Sequence, residues 1–314
     1  MLYLTYLAKD QNDGFGAQYQ RILGIYCICK EHNIQYLHTG ISDIGYQGLQ
    51  ALEKNKNDDS FTRECNKRIN ISEGQDTEIK LEEEICLKTL NHTELLQMIE
   101  YSKTKNVLIK LQIPYGITDI NPALYRHCCG LYRTNLKSNN KVTIGVHVRR
   151  GELFVVDSDR MLPNSYYIDN VFRLIEICKK LHLYYEVELF TELPANDFVV
   201  TGNHPGIFNR IHNNVIIKRE QHSIEDFDQI PNLNKYINEE LLVTFDRMIN
   251  CDILIASRSS LSACASYIKQ GKTVYHSFWH KMKPEDIEYR DPKFNDIIEA
   301  YLKEKYINMK SQNV

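Results

Sequence analysis

The chain carries almost no excess of either charge. Lysine and arginine number 38 against 41 aspartates and glutamates, a net charge of −3 over 314 residues. That near-balance excludes a general nucleic-acid or membrane-surface binder, so any anion recognition has to be local. Residues 1–30 lack a basic segment followed by an apolar one, and Met1–Leu7 reads as a short strand, not as a leader or a membrane span. None of the nine cysteines stands in a Cys-x-x-Cys pair: Cys27 and Cys29 are two apart, Cys128 and Cys129 adjacent, and Cys178 and Cys251 lie in apolar stretches. An odd count without finger-like spacing argues against structural zinc. It predicts reduced, mostly buried thiols in a cytoplasmic protein. Internal repeats are absent. The single tryptophan, Trp279, sits in His276-Ser277-Phe278-Trp279-His280 and is expected to be a core aromatic, with sugar stacking the alternative. His276 and His280 have helical metal-pair spacing, but the residues between them do not read as a helix.

What is present is an alternation of strands and helices. The length suits two domains of about 150 residues, and 43% hydrophobic with 25% charged residues is ordinary for a globular chain. A strand at 2–7, a polar loop, a helix with Leu23, Tyr26, Cys27 and Lys30 at helical spacing to His32, and a strand at Ile34–Thr39 form a β-loop-α-β start. Residues 53–84 are a polar excursion with local helices. A helix over 84–103 and a strand at 107–113 follow. The turn-rich stretch 134–141 is the best linker. Beyond it come a strand at 142–148, a helix after Pro163, strands at Glu186–Phe190 and Val215–Lys218, a helix at 239–250, a strand at Asp252–Ala256, a helix to Lys269 and a strand at Thr273–His276. Asp291-Pro292 predicts the start of a last helix, Asp as N-cap and Pro in its first turn. The fold class expected is α/β, with two Rossmann-like domains facing a cleft.

Three constellations carry chemistry. In Val142–Glu152 a β-branched run stops at His147-Val148-Arg149-Arg150-Gly151-Glu152. A buried strand delivering charge to the end of an open sheet looks like this, and ligands bind at such ends. Alternation directs His147 and Arg149 one way and Arg150 the other. Two neighbouring guanidiniums need an anion or carboxylates to balance them. A structural Arg–carboxylate network would satisfy them, but the His and Gly-Glu flanks favour an anion site. Second, strand Leu254–Ala256 runs into Ser257-Arg258-Ser259-Ser260-Leu261-Ser262. One serine there is a helix cap; four within six residues favour contact with phosphate oxygens beside the free N–H groups of a helix start. Third, Asp13-Gly14-Phe15-Gly16-Ala17-Gln18 permits a tight turn with close backbone approach.

His147-Val148-Arg149-Arg150-Gly151-Glu152 resembles the His-x-Arg-Arg-x-Asp motif of the α-1,2-, α-1,6- and protein O-fucosyltransferase superfamily. Ser257–Ser262 resembles its Ser-x-Ser-Ser-Phe-Ser motif, Phe190-Thr191-Glu192 its Phe-Ser-Asp turn, and Gly14–Gln18 its Gly-x-Gly-Asn-Gln loop. The blocks run in the family's order from residue 14 to about 280, and residues 40–135 match nothing. The resemblance implies a GT-B fold, a GDP-fucose donor, inversion at the anomeric carbon and no metal. It implies an acceptor domain over 1–138, a donor domain over 139–285 and a C-terminal helix over 286–314. Arg149 is then the main diphosphate ligand, His147 a nucleotide contact and the serine turn (Ser257, Ser259, Ser260, Ser262) a second clamp. Gly14, Phe15, Gly16, Gln18, Arg150, Thr191 and Glu192 complete the donor site. Glu152 stands where the family has Asp, Ala17 where it has Asn, and Glu192 where it has Asp. Arg149 and Glu152 are the candidates for catalysis, and Glu152, Asp157, Asp159 and Asp13 are unranked candidates for the base.

Two other readings stay open. Leu153-Phe154-Val155-Val156 followed by Asp157-Ser158-Asp159 is similar to the manganese motif of GT-A enzymes, although it follows β-strand 142–148 too closely for a crossover to a second parallel strand. A non-catalytic nucleotide- or carbohydrate-binding relative, or use of another nucleotide sugar, is the further alternative. The expected partners are a nucleotide-sugar donor and a glycan or glycoconjugate acceptor, with no nucleic acid, no membrane span and no resident cofactor.

Overall fold

Apolar strands flanked by helices build two separate α/β units. The computed structural model describes residues 1–7, 14–41, 44, 59–69, 71, 79–113, 141–150, 153, 158–193, 198–200, 215–217 and 223–308. The first unit comprises Met1–Gln47, Asn55–Thr134 and Lys281–Pro284; the second comprises Gly48–Lys54, Asn135–His280 and Glu285–Val314. Among the described residues no helix is long and apolar enough to cross a membrane.

In the first unit, β1 (Leu2–Tyr6), α1 (Phe15–His32), β2 (Gln35–Tyr36), α2 (Asp59–Arg68), β3 (Glu83–Thr89), α3 (His92–Tyr101) and β4 (Val107–Ile113) follow in turn. The sheet runs β2-β1-β4-β3 with every pair parallel. β1 is buried along its whole length, as a strand covered on both faces must be. α1 stops where Asn33 takes the left-handed conformation (φ 52°, ψ 42°) and its N–H reaches the Cys29 carbonyl. The helix expected over 84–103 divides. Glu83–Thr89 is a strand pairing with β4 (Ile85 opposite Ile109), with Glu84, Cys86 and Lys88 exposed and Ile85 and Leu87 half-buried. That alternation has period two, and a capping box fixes the true helix start. Asn91 Oδ1 accepts from the Glu94 N–H at 2.9 Å while Glu94 Oε2 accepts from the Asn91 N–H at 2.8 Å.

In the second unit, β5 (Val142–Val148), α4 (Asn164–Lys180), β6 (Tyr185–Thr191), β7 (Phe198–Val200), β8 (Val215–Ile217), β9 (Leu233–Ile237), α5 (Leu241–Asn250), β10 (Ile253–Ile255), α6 (Ser260–Ile268), β11 (Lys272–Tyr275), β12 (Ile287–Glu288) and α7 (Phe294–Leu302) follow. β7 and β8 form a separate antiparallel pair. The other six strands make one parallel sheet in the order β12-β11-β10-β5-β6-β9. The chain thus builds outward from β5 through β6 to β9, then returns to lay β10, β11 and β12 on the far side of β5. This is the doubly wound dinucleotide-fold order, and its reversal lies between β5 and β10. The expected α/β class, with parallel sheets in both units, is the one observed.

Side-chain parity divides the sheet's faces. Val142, Ile144, Val146 and Val148 join the core that includes Tyr167, Val171, Leu174 and Cys178 of α4 and Phe294, Ile298 and Leu302 of α7. Gly145 and His147 point to the opposite face, where a Cβ on Gly145 would meet Cys251 Sγ at 2.8 Å and where His147 reaches Ser262 of α6. The last helix begins at Phe294, two residues later than expected. Asp291 Oδ1 accepts from the Lys293 N–H at 2.8 Å, so the Asp-Pro pair closes the preceding turn rather than capping the helix. The described cysteines are unbridged, and all but Cys86 are buried.

A methyl group on Gly271 would lie 2.1 Å from the Asp252 backbone oxygen, an atom held in the central sheet. Gly145→Ala meets only a sulfur and the Phe190 ring edge. Overpacking of the second kind costs roughly 1–3 kcal/mol. Chemical denaturation should show Gly271→Ala to be the more damaging change; equal midpoints for the two variants would contradict this packing.

Candidate functional site

At the strand reversal the carboxyl ends of β5 and β10 send their chains to opposite faces, and α/β sheets bind ligands in the crevice this opens. Backbone pairing between the two strands ends at Val146 opposite Ile255. One residue on, a side chain continues the connection. His147 Nδ1 lies 2.5 Å from Ser262 Oγ and 3.1 Å from Ser257 Oγ, and the two hydroxyls are 3.2 Å apart. All three residues are buried. Burial first, then the neighbouring Arg149 charge, pushes the His147 imidazole down to about 3, so it is a neutral dipole at physiological pH.

Beside it opens a depression of about 430 Å³, part of it open solvent. His147, Val148, Arg149 and Arg150 line it from β5, Phe190, Thr191 and Glu192 from β6, and Glu239, Leu241, Thr244 and Leu261 from the starts of α5 and α6. Its β6 rim is pinned twice. Thr191 Oγ1 donates to the Val148 carbonyl at 2.8 Å. Leu193 and Asn238 exchange two hydrogen bonds of 2.8 Å each, with Asn238 in the left-handed region (φ 58°). Between those anchors Glu192 stands 3.7 Å from Arg149 Nη1, an ion pair too long for a good hydrogen bond. Glu239 is gripped through both oxygens by Arg247 Nε at 3.0 and 3.1 Å.

Arg150 turns to the other face. Its Nη2 donates to Asn164 Oδ1 at the start of α4, its Nη1 donates to the Arg149 carbonyl at 3.0 Å, and its guanidinium lies 5.8 Å from the Tyr167 ring centre. Asn164 in turn donates to Asp226 Oδ2 at 2.9 Å. Among the described residues Arg150 is therefore braced by an amide and a phenol ring. The four serine hydroxyls are all engaged within the protein: Ser257 and Ser262 by His147, Ser259 by the Leu261 N–H at 3.2 Å, and Ser260 by His280 Nε2 at 2.9 Å. The expected cradle of hydroxyls is thus a set of tethers. What α6 offers an anion is the remainder of its first-turn backbone N–H groups, the Leu261 N–H being held by Ser259.

Gly14–Gln18 belongs to the first unit. Gly14 precedes α1 in an extended conformation, and its carbonyl accepts from the Ala17 and Gln18 N–H groups at 3.2 Å each. Phe15, Gly16 and Gln18 are buried there, with Gln18 Oε1 accepting from the Tyr6 hydroxyl at 3.2 Å. Two of the expected donor-binding side chains, Phe15 and Gln18, are thus packed inside that unit. Asp13, Gly151, Glu152 and Asp157 lie outside the described residues. Asp159 is exposed in a short 3-10 turn, Ser158–Arg160, and its carbonyl accepts from Arg258 Nη1 at 2.7 Å. Among the described residues no group of three or more His, Cys, Asp and Glu could hold a metal.

Sequence reasoning missed Glu239 and Thr244. Glu239 and Thr244 follow β9, whose Leu-Asn-Lys-Tyr-Ile composition suits a sheet edge and so reads as loop. Trp279, expected in the core, is 59% exposed. The aromatic run around it misled, because it follows β11 out onto the surface instead of turning inward.

No protein-family model matches the chain, and no curated protein matches it. Among solved structures, E. coli heptosyltransferase WaaC with ADP-2-deoxy-2-fluoro heptose is similar at 10% identity and a TM-score of 0.38, over 100% of this chain and 99% of that one. A likeness that weak bears on neither substrate nor mechanism.

A folded-state pKa below the unfolded value means the unfolded chain binds the extra proton. The stability conferred by neutral His147 is therefore complete above about pH 6.5 and falls as pH drops toward 3. The His147 contribution to that slope is at most roughly 1.4 kcal/mol per pH unit. His147→Asn should flatten the acid limb between pH 6.5 and 4 relative to wild type. Parallel curves from urea denaturation would show that the imidazole is not held neutral.

Proposed function

We propose that the second unit binds the diphosphate of a nucleotide sugar at its strand reversal, and that the protein is a glycosyltransferase moving fucose from GDP-fucose onto a glycan hydroxyl with inversion. One observation carries the reading: Arg149 stands beside neutral His147 in the cleft at the carboxyl end of β5, facing the start of α6. His147–Arg150 and Ser257–Ser262, from the blocks that resemble fucosyltransferase motifs, lie at the ends of the adjacent strands β5 and β10, which supports the reading.

The chemistry follows from charge. An acceptor oxygen attacks the anomeric carbon as the bond to the β-phosphate oxygen breaks, and the electron pair leaves with the diphosphate. Arg149 neutralises that growing charge with a fixed fork of donors, the task a divalent cation performs elsewhere. First-turn N–H groups of α6 add neutral donors. Glu192 is an acceptor-only group and so suits a sugar hydroxyl better than a phosphate. The acceptor proton passes to a carboxylate, for which Glu152, Asp157, Asp159 and Asp13 are the unranked candidates.

Arg149→Ala should lower kcat roughly 10²–10³-fold, the loss typical of removing a preorganised donor, and Arg149→Lys should also be poor because an ammonium cannot match the bidentate fork. Thermal-shift titration should rank GDP above UDP and ADP, and EDTA should leave transfer unchanged. Wild-type-like turnover in Arg149→Ala would refute the assignment. Activity lost to EDTA and restored by manganese would favour an Asp157/Asp159 metal site. GDP binding without any transfer would mark a non-catalytic relative.

A further inference from the structure

A second cluster lies across the strand reversal from Arg149, at the carboxyl ends of β10 and β11. Two arginines cross there: Arg258 Nη1 donates to the Asp159 carbonyl at 2.7 Å, and Arg160 Nη2 donates to the Arg258 carbonyl at 3.4 Å. Arg258 Nη2 donates to His276 Nδ1 at 3.0 Å, and the His276 ring is stacked on Tyr289 (4.9 Å, 23°). The Arg258 Nε–H is buried and has no acceptor among the described residues. Arg160 holds its guanidinium 4.9 Å from the ring centre of Trp279.

Trp279 is exposed yet fixed. Its indole N–H donates to His280 Nε2 at 3.1 Å, and that same nitrogen meets Ser260 Oγ at 2.9 Å, so the ring is tethered to the first turn of α6. Neither Phe278, inclined at 64°, nor His280, at 55°, lies flat against it. An indole locked in place, 59% exposed and with no ring lying flat on it among the described residues, is a stacking platform on the side away from Arg160, and every base has a π-face to offer it.

Polarity distinguishes the two sides of the reversal. The cleft at Arg149 holds the carboxylates Glu192 and Glu239, acceptors suited to sugar hydroxyls. The Trp279 side carries the guanidiniums of Arg160 and Arg258 instead, the first over the indole and the second with its Nε–H buried. Sugar hydroxyls call for acceptors as well as donors, whereas a purine edge with adjacent N7 and O6 acceptors calls for donors alone. Arginine forks bind that edge of guanine bidentately.

We infer that Trp279, with Arg160 and Arg258, seats the purine base of the nucleotide whose diphosphate meets Arg149, and that the guanidiniums select guanine. The inference rests on the nucleotide-sugar reading above and adds where each end of the donor lies: base over β10 and β11, sugar over β5 and β6.

Trp279 is the chain's single tryptophan, so emission excited at the red edge of the absorption band, where the 20 tyrosines scarcely absorb, reports this platform. Full-length protein is titrated with GDP, UDP and inorganic pyrophosphate, following emission and, separately, heat. GDP should quench Trp279 saturably, while pyrophosphate binds without that change. Trp279→Ala should weaken GDP about tenfold, the usual worth of one base stack, leaving pyrophosphate affinity intact, and Trp279→Phe should restore most of the loss. Unchanged GDP affinity in Trp279→Ala, or equal quenching by pyrophosphate, overturns the platform while leaving the diphosphate site standing. Equal GDP and UDP affinities overturn guanine selection. Failure of both GDP and pyrophosphate to bind wild type overturns the parent reading together with this one. Should Trp279→Ala also lose pyrophosphate through misfolding, Arg160→Ala decides: full GDP affinity there rejects the platform.

Discussion

One buried imidazole has to remain uncharged for the crevice to keep its shape. Where β5 and β10 part, the backbone ladder stops at Val146 and Ile255. His147 carries the connection one step further through Ser257 and Ser262. A protonated ring would repel Arg149 and would need solvation that a buried position does not supply. Neutral His147 therefore does two things at once. It ties α6 to the end of β5, and it leaves Arg149 as the cation of that cleft wall without a competing charge behind it.

The same strand end explains how two consecutive arginines are tolerated. Strand parity sends their side chains to opposite faces, so the guanidiniums do not share a desolvated pocket. Arg150 is buried among Asn164 and Tyr167, and burial lowers its pKa while these contacts satisfy its donors. Arg149 keeps a partly solvated position opposite Glu192. The pair thus divides into a brace and a contact residue. A one-residue slip of the strand would bury the contact and expose the brace, so position along the strand matters more than charge count.

The architecture of the second unit was largely legible, because β5 and β10 are mostly apolar runs, as parallel strands buried on both faces are, and β6 and β11 keep shorter apolar stretches, Leu189-Phe190 and Val274-Tyr275. Legibility failed at edges. β9 carries Asn234 and Lys235 because one of its sides meets no further strand, and β3, also at a sheet edge, opens on Glu83-Glu84 and only half-buries Ile85 and Leu87, which let it pass for helix. At the site, the strand-to-charge junction of His147–Arg150 was readable since it combines opposite patterns within a few residues. The serines were readable as a cluster but not as tethers, because what engages them, His147 and His280, lies far away in sequence. Trp279 was misjudged since composition gives the aromatic run but not the direction the chain takes after β11.

The reversal is held at its far end as well. Asp252, buried just before β10, accepts from the Thr143 N–H of β5 at 2.7 Å, and its own N–H donates to the Thr143 carbonyl at 2.9 Å. Tyr306, in the turn after α7, donates to the same carboxylate at 2.7 Å, with Lys305 alongside. The two central strands are therefore cross-linked by side chains at both ends, His147 at one and Asp252 at the other. Electrostatic stabilisation of a leaving group works only when its donors need no rearrangement as charge develops. A guanidinium one residue beyond a strand clamped in this way starts from a fixed base, which a loop-borne arginine does not. Rigidity at Asp252, remote from the crevice, is in this sense part of what Arg149 needs to act.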